Sequence, residues 1–335
     1  MDRYNASHPR QSPNLRQALR DAASNDTALF GTIIGLPSLD VAKVIAATDC
    51  DFAAIDAEHT PYSATSLSEM VQTVRAYSRG RMIPIVRVPT HTHEWIAWAV
   101  DAGAGGVIMP HTESAEEVRE MINAAKFPPH GHRSFPPFAL LPIDGQNGPT
   151  NGKTWFETSN EHIAIIPQIE SAKGVENAEA MMQIPEVDAI MIGQMDLTMD
   201  VGGSAEKAAE LISHVEALAL KYNKPLLAFI MNKADMPAKL KAGYRLAVIS
   251  ADVYALTGST NAAIAEFREA ATGKGLETTH TVVKDEPSAS RKSLVPTTSE
   301  RKAVSPELVI GRLSMGILLV VAFSFLRGQT SSWVR

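Results

Sequence analysis

Two acidic residues close two consecutive apolar runs. Glu170 ends the run Ile163-Ala164-Ile165-Ile166-Pro167-Gln168-Ile169-Glu170, and Asp196 follows Val187-Asp188-Ala189-Ile190-Met191-Ile192-Gly193 by way of Gln194-Met195. A helix-length segment separates the runs, so a parallel sheet would put both acids on one rim, a few ångströms apart. Two carboxylates that close raise each other's pKa unless positive charge lies between them. The usual positive partner of an all-oxygen pair is a hard divalent cation such as Mg²⁺ or Mn²⁺. The pair has a plainer reading as two solvated surface acids.

Other chemistry-bearing residues end other apolar runs: Asp56, Glu58 and His59 after the second, Arg87 after the third, Gln168 within the fifth. Histidine titrates near neutrality and suits general base work; the alternative for His59 is a polar loop residue with no proton to move. Arg87, leaving an apolar run, needs an anion, either a structural carboxylate or a substrate. Asp101 stands apart, fourteen residues after Arg87 and just before Gly103-Ala104-Gly105-Gly106, where it can equally cap a helix end. His91-Thr92-His93 lacks a nearby third ligand, His130 and His132 flank Gly131 in a long loop, and Trp95 and Trp98 read as core.

These residues need a scaffold that gathers strand ends. Eight strand-like runs, at 29–36, 52–55, 83–88, 106–109, 163–169, 189–192, 225–230 and 246–250, alternate with helical patterns at 39–48, 66–77, 92–102, 114–125, 174–182, 205–221 and 235–242. Several runs are apolar throughout, as strands covered on both faces are. Eight βα repeats predict a (β/α)₈ barrel, whose C-terminal rim carries the chemistry. An open doubly wound sheet is the runner-up, weakened because no Gly-x-Gly-x-x-Gly follows the first strand. Residues 127–160 form a long loop rich in Pro, Gly and Asn, of the kind that is usually functional.

The ends differ from this middle. Residues 1–27 read as a polar arm with one short helix over 15–23. Residues 274–306 are polar and read as a disordered linker. Residues 307–335 carry an apolar segment, long enough to approach a membrane span only if it is counted from 308 to 326. A tail anchor, a packing or interfacial helix and a terminal segment without a role are all open readings. The polar N-terminus predicts no cleaved secretory signal. One cysteine, Cys50, gives neither a disulfide framework nor a thiolate cluster, which fits a reducing, cytoplasmic setting. A net charge of -6 gives no reason to expect nucleic acid as a partner.

Several segments in register resemble the HpcH/HpaI aldolases: Ile55-Asp56-Ala57-Glu58-His59-Thr60-Pro61, Val86-Arg87-Val88-Pro89, Asp101-Ala102-Gly103-Ala104, Pro128-Pro129-His130-Gly131-His132-Arg133, Gln168-Ile169-Glu170 and Gly193-Gln194-Met195-Asp196-Leu197. The resemblance covers residues 28–270. The stretch 165–177, with Arg133-Ser134-Phe135 and Thr158-Ser159-Asn160, is similar to the macrophomate synthase branch.

The resemblance implies a phosphoenolpyruvate/pyruvate-type TIM barrel over 28–273, assembled as trimers or hexamers with an exchanged helix. It implies a class II pyruvate aldolase, a carbon–carbon lyase. Glu170 and Asp196 would hold a divalent metal, Mg²⁺ first and Mn²⁺ or Co²⁺ as alternatives, and pyruvate or its enolate would chelate it. Arg87 would stabilise enolate charge. His59, with Asp101 of a neighbouring subunit, would move the proton. Gln168, Gly193 and Met195 would line the substrate, and Asp56 with Gln168 would support the metal shell. Substrates would be 2-oxo acids: pyruvate, oxaloacetate or an aldol adduct. An oxaloacetate decarboxylase or enolpyruvate-coupling synthase of the macrophomate type is the alternative enzyme, and a membrane-tethered binding protein the non-catalytic one. Two positions depart from the pattern. Gln194 stands where the family usually has proline, and Lys153-Thr154-Trp155-Phe156-Glu157 lacks the tyrosine of the macrophomate synthase branch.

Overall fold

The computed structural model of the chain describes residues 4–5, 11–136 and 153–272. Eight parallel strands close into a barrel in sequence order. They are β1 (Leu29–Ile34), β2 (Phe52–Asp56), β3 (Ile83–Arg87), β4 (Gly106–Met109), β5 (Ala164–Ile169), β6 (Ile190–Ile192), β7 (Leu226–Phe229) and β8 (Tyr244–Ala251). The closed ring is the expected (β/α)₈ fold and excludes the open sheet.

Strand parity sorts the side chains. Phe52, Ala54, Ile83, Ile85, Ile108, Ala164, Ile166 and Met191 form one buried cluster, while Ala53, Ile55, Val86, Val107, Ile165, Ile190 and Ile192 belong to another that includes the helices. The first cluster is the barrel lumen. Its floor is helix α1 (Leu15–Ser24), whose Leu15 and Leu19 are fully buried against the lumen residues, each contributing roughly 1.5–3 kcal/mol. Counting by twos along the lumen-facing set leads directly to Asp56, Arg87, Gln168, Glu170 and Gly193 at the C-terminal mouth.

The outer layer comprises α2 (Leu39–Ala46), α3 (Ala64–Tyr77), α4 (His93–Asp101), α5 (Ala115–Ala125), α6 (Trp155–His162), α7 (Ala172–Glu176), α8 (Ala178–Met182), α9 (Gln194–Asp200), α10 (Ala205–Lys221), α11 (Met236–Lys241) and α12 (Asp252–Thr272). Serine or threonine opens many of them: Ser38, Ser63, Ser114, Thr154, Ser171 and Ser204 each accept a backbone N–H of the first turn, typically about 1 kcal/mol apiece.

Four helical features differ from expectation. The long loop contains α6, opened by a capping box between Thr154 and Glu157. The single helix expected over 174–182 is broken at Asn177 into α7 and α8, and the Asn177 side chain donates to the carbonyls of Glu113 and Lys173. Gln194-Met195 is not a loop but the first turn of α9. The twenty-one residues of α12 carried no sequence expectation; only its first residue, Asp252, is buried, and Tyr254, Leu256 and Phe267 are 62%, 61% and 78% exposed. The expected linker (274–306), the tail (307–335) and part of the long loop (137–152) lie outside the described residues. Among the described residues, no helix is long and apolar enough to cross a membrane.

Candidate active site

Asp56 and Arg87 end β2 and β3 as register partners. Neighbours of equal parity on parallel strands face the same way, so their side chains meet over the lumen. Arg87 Nε and Nη2 donate to Asp56 Oδ1 and Oδ2 at 2.8 and 2.7 Å, a buried bidentate pair. The remaining nitrogen, Nη1, lies 3.0 Å from Glu58 Oε2. Burial pulls the Arg87 pKa down, but hydrogen bonding and charge from Asp56, with Glu58 and Glu170, prevail and hold it above its ordinary value. The structural-carboxylate reading of Arg87 is the one the geometry displays: its partners are Asp56 and Glu58.

Glu170 follows β5 and is buried. One carboxylate oxygen accepts the His111 backbone N–H at 2.7 Å and the other accepts from Gln168 Nε2. Burial pushes the Glu170 pKa up; hydrogen bonds from His111 and Gln168 pull it down, and the negative charge of Asp196 adds to the rise. The two acids inferred to share a rim thus do feel each other. Gly193, between them, is packed against Glu170 so tightly that an added Cβ would sit 2.4 Å from Glu170 Oε2. Its own N–H is held by the Ile169 carbonyl at 3.0 Å. Asp196 is half-buried in the first turn of α9, and Met195 beside it is 74% exposed at the mouth.

His111, two residues beyond β4, was missed in the sequence. Its ring spans the cluster, with Nδ1 3.4 Å from Glu170 Oε1 and Nε2 3.5 Å from Glu58 Oε1. It adopts φ +47°, uncommon for a residue with a side chain. The loop is clasped in place. Thr112 N–H donates to the Gln168 carbonyl, and Glu113 accepts from Ser171 Oγ at 2.8 Å and Lys173 Nζ at 2.9 Å. The rule that found the other rim residues applies equally to β4, so the signal was present.

His59 is 67% exposed at the mouth, 3.7 Å from Glu58. Asp101 ends α4 and pairs with Arg133.

The donor set fits a divalent cation. Asp56, Glu58, Glu170 and Asp196 bring four formal negative charges to the mouth against the single guanidinium of Arg87. Gln168 Oε1 is buried with no hydrogen-bond partner among the described residues. Glu58, His111 and Glu170 each offer a ligand atom within 4.8 Å of the others. Oxygen-rich donors with at most one imidazole suit Mg²⁺ or Mn²⁺ better than a soft metal.

Barrel closure and this acid-rich mouth make the chain a barrel enzyme with its chemistry at the C-terminal ends of the strands. The sequence profile of the HpcH/HpaI aldolase/citrate lyase family matches residues 34–224. A hydroxypyruvate/pyruvate aldolase of Paraburkholderia phytofirmans is 27% identical over 75% of this chain and 97% of its own length. A 5-keto-4-deoxy-D-glucarate aldolase of Klebsiella pneumoniae is 27% identical over 68% and 87%. Among solved structures, macrophomate synthase superposes with a TM-score of 0.77 at 33% identity, covering 81% of this chain and 94% of that one. A family protein from Burkholderia cenocepacia gives 0.68 at 28%, covering 76% and 98%. The chain belongs to the HpcH/HpaI aldolase/citrate lyase family. It is an enzyme, a lyase of the aldolase type.

Proposed function

We propose that the protein makes or breaks a carbon–carbon bond to a pyruvate-like 2-oxo acid, with Glu170 and Asp196 holding a divalent cation, Mg²⁺ first. The observation that carries this reading is the excess of acids around one oriented arginine. The aldolase names of the relatives support the substrate class. A bound cation supplies Lewis-acid stabilisation of charge developing on the 2-oxo acid, worth several kcal/mol.

The chain's own residues do the rest. In the cleavage direction a base takes the proton of the adduct's hydroxyl group. The carbon–carbon bond then breaks, leaving its electron pair on the 2-oxo acid fragment and an aldehyde as the other product. His59 is the base, a role worth about 10²–10⁴ in rate. Asp56 grips one edge of Arg87 and aims Nη1 at the mouth, where it offsets the negative charge of the enolate. Gln168 orients Glu170, and Gly193 leaves room for both. Met195 lines the entrance. The partner of His59 is Asp101 of a second copy, which makes the working unit an oligomer; the exposed apolar residues of α12 support this.

A second reading follows from the similarity to macrophomate synthase: loss of carbon dioxide from oxaloacetate would leave the same enolate, with the same residues in the same roles. Incubation with pyruvate in D₂O with Mg²⁺, Mn²⁺ or Co²⁺, followed by metal removal and NMR of the methyl group, tests the shared chemistry. Metal-dependent loss of the methyl signal is expected, and no exchange with any of the three overturns the proposal. Comparing turnover of oxaloacetate with that of aldol adducts separates the two readings.

A further inference from the structure

Arg133 is buried, and its guanidinium hydrogen-bonds Asp101 Oδ1 through Nη2, while Nε and Nη1 have no hydrogen-bond partner among the described residues. A buried guanidinium with two of its three nitrogens lacking a hydrogen bond is costly.

The chain spends several interactions to deliver it. After α5 the backbone doubles back: Gly131 passes so close to the helix end that a Cβ there would lie 2.6 Å from the carbonyls of Ile122 and Lys126. The Arg133 N–H donates to Lys126 O at 2.8 Å, and the guanidinium stacks 4.5 Å from the Phe127 ring centre. Phe127 is itself fixed by Asn160, which accepts its N–H at 2.8 Å and donates to its carbonyl at 3.0 Å. Planar stacking and these backbone ties leave the fork little freedom.

What it holds is a carboxylate with one oxygen still to offer. Asp101 borders an outer groove of about 420 Å³ between α3 and α4, lined also by Ser68, Gln72 and Trp98. Trp98 is 42% exposed there.

We propose that Arg133 is a positioning residue. It clamps Oδ1 of Asp101 so that Oδ2 points into the groove to meet the imidazole of His59 from a second copy of this chain. The inference rests on the reading above, in which Asp101 completes a neighbour's site.

Subunit mixing separates the two. His59→Asn and Asp101→Asn are each inactive in pyruvate proton exchange, and co-refolded together they regain activity if the site is shared. Arg133→Met is expected to lower kcat for exchange by about 10- to 100-fold, as misplacement by an ångström does, with KM for pyruvate within twofold of wild type and the oligomer intact by light scattering. Arg133→Lys, which keeps the charge without the fork, recovers part of kcat and serves if the Met variant fails to fold. The decisive outcome is the pattern of rescue. Arg133→Met mixed with His59→Asn regains activity, because one site then combines an intact His59 with an intact Asp101–Arg133 pair. Mixed with Asp101→Asn it does not. Full kcat in both Arg133 variants, or rescue by Asp101→Asn, overturns the positioning role while leaving the shared site standing. Failure of His59→Asn and Asp101→Asn to complement overturns the shared site and the positioning role with it.

Discussion

Replacing Gly193 with alanine tests the mouth at its tightest point. A methyl group there would lie 2.4 Å from Glu170 Oε2, 2.6 Å from Glu170 Cβ and 3.2 Å from Gln168 Nε2. Carbon contacts relax only near ~3.5 Å, so the Glu170 side chain must retreat by about 1 Å. A new rotamer cannot achieve this, because the Cβ itself is in the way; β5 and β6 must part. Overpacking of this kind costs about 1–3 kcal/mol, and each kcal/mol lowers Tm by about 2–4 °C in a domain of this size. The functional effect should exceed the structural one. A 1 Å error in a catalytic group costs about 10²-fold, and the carboxylate that moves is the proposed metal ligand. Gly193→Ala should therefore weaken Mn²⁺ binding by calorimetry and cut exchange about a hundredfold, with a modest fall in Tm. Gly35→Ala is the control from the same rim: its Cβ would meet Asp252 Oδ1 at an ordinary 3.5 Å. Wild-type metal affinity and turnover in Gly193→Ala would refute the placement of Glu170.

Four further outcomes follow from the same geometry. Glu170→Gln and Asp196→Asn should each abolish metal-dependent turnover and the thermal shift that Mn²⁺ gives the wild type, about 2.7 kcal/mol at a hundredfold excess over Kd; normal turnover with metal in either variant sinks the assignment. Arg87→Met leaves Asp56 and Glu58 facing each other, and urea denaturation should show a loss of about 3–5 kcal/mol, against a smaller loss in Arg87→Lys; equal stability of all three proteins would contradict the pairing. Lys126, buried with its amine donating to the carbonyls of Asn160 and Ile163, has its pKa pulled by burial from 10.5 to about 7. Between those values the unfolded chain holds a proton that the native chain lacks, so stability rises with pH by up to about 1.4 kcal/mol per unit, a slope that Lys126→Met should remove in melts from pH 7 to 9.5. Leu256→Asp combined with Phe267→Asp on α12 should lower the mass of the proposed oligomer by light scattering and leave the barrel's circular dichroism unchanged; an unchanged mass would deny α12 an interface role.

How far the sequence could be read follows from where each signal arises. The strands were legible because burial on both faces makes them continuous apolar runs, and their ends named Asp56, Arg87, Glu170 and Asp196. His111 was within reach of the same strand-end rule, two residues past β4; its left-handed conformation and its contact with Glu170 were not. The turn at Gln194 lacks the proline usual in the family. The structure supplies the restraint another way, since Gly193 is pinned by Ile169 and the chain enters α9 at once. Helix α6 could have been found from Thr154-x-x-Glu157, a capping box inside a loop-like stretch. Helix α12 could not have been placed by amphipathic pattern, because only its first residue, Asp252, is buried.

The mouth also shows what the rest of the fold must tolerate. Burial raises the Glu170 pKa above its unfolded value, and Asp196 adds to the rise. For an acid, that sign means that the native state binds the proton more tightly, so stability falls as pH climbs through the native pKa and the ionised form costs stability at neutral pH. Asp56 and Glu58 share the Arg87 guanidinium. Ionised Glu170 therefore works against folding in the absence of a cation. Glu170→Gln should accordingly melt no lower than the metal-free wild type while doing no chemistry. Such an exchange of stability for function is what separates a working acid cluster from one that merely decorates a rim.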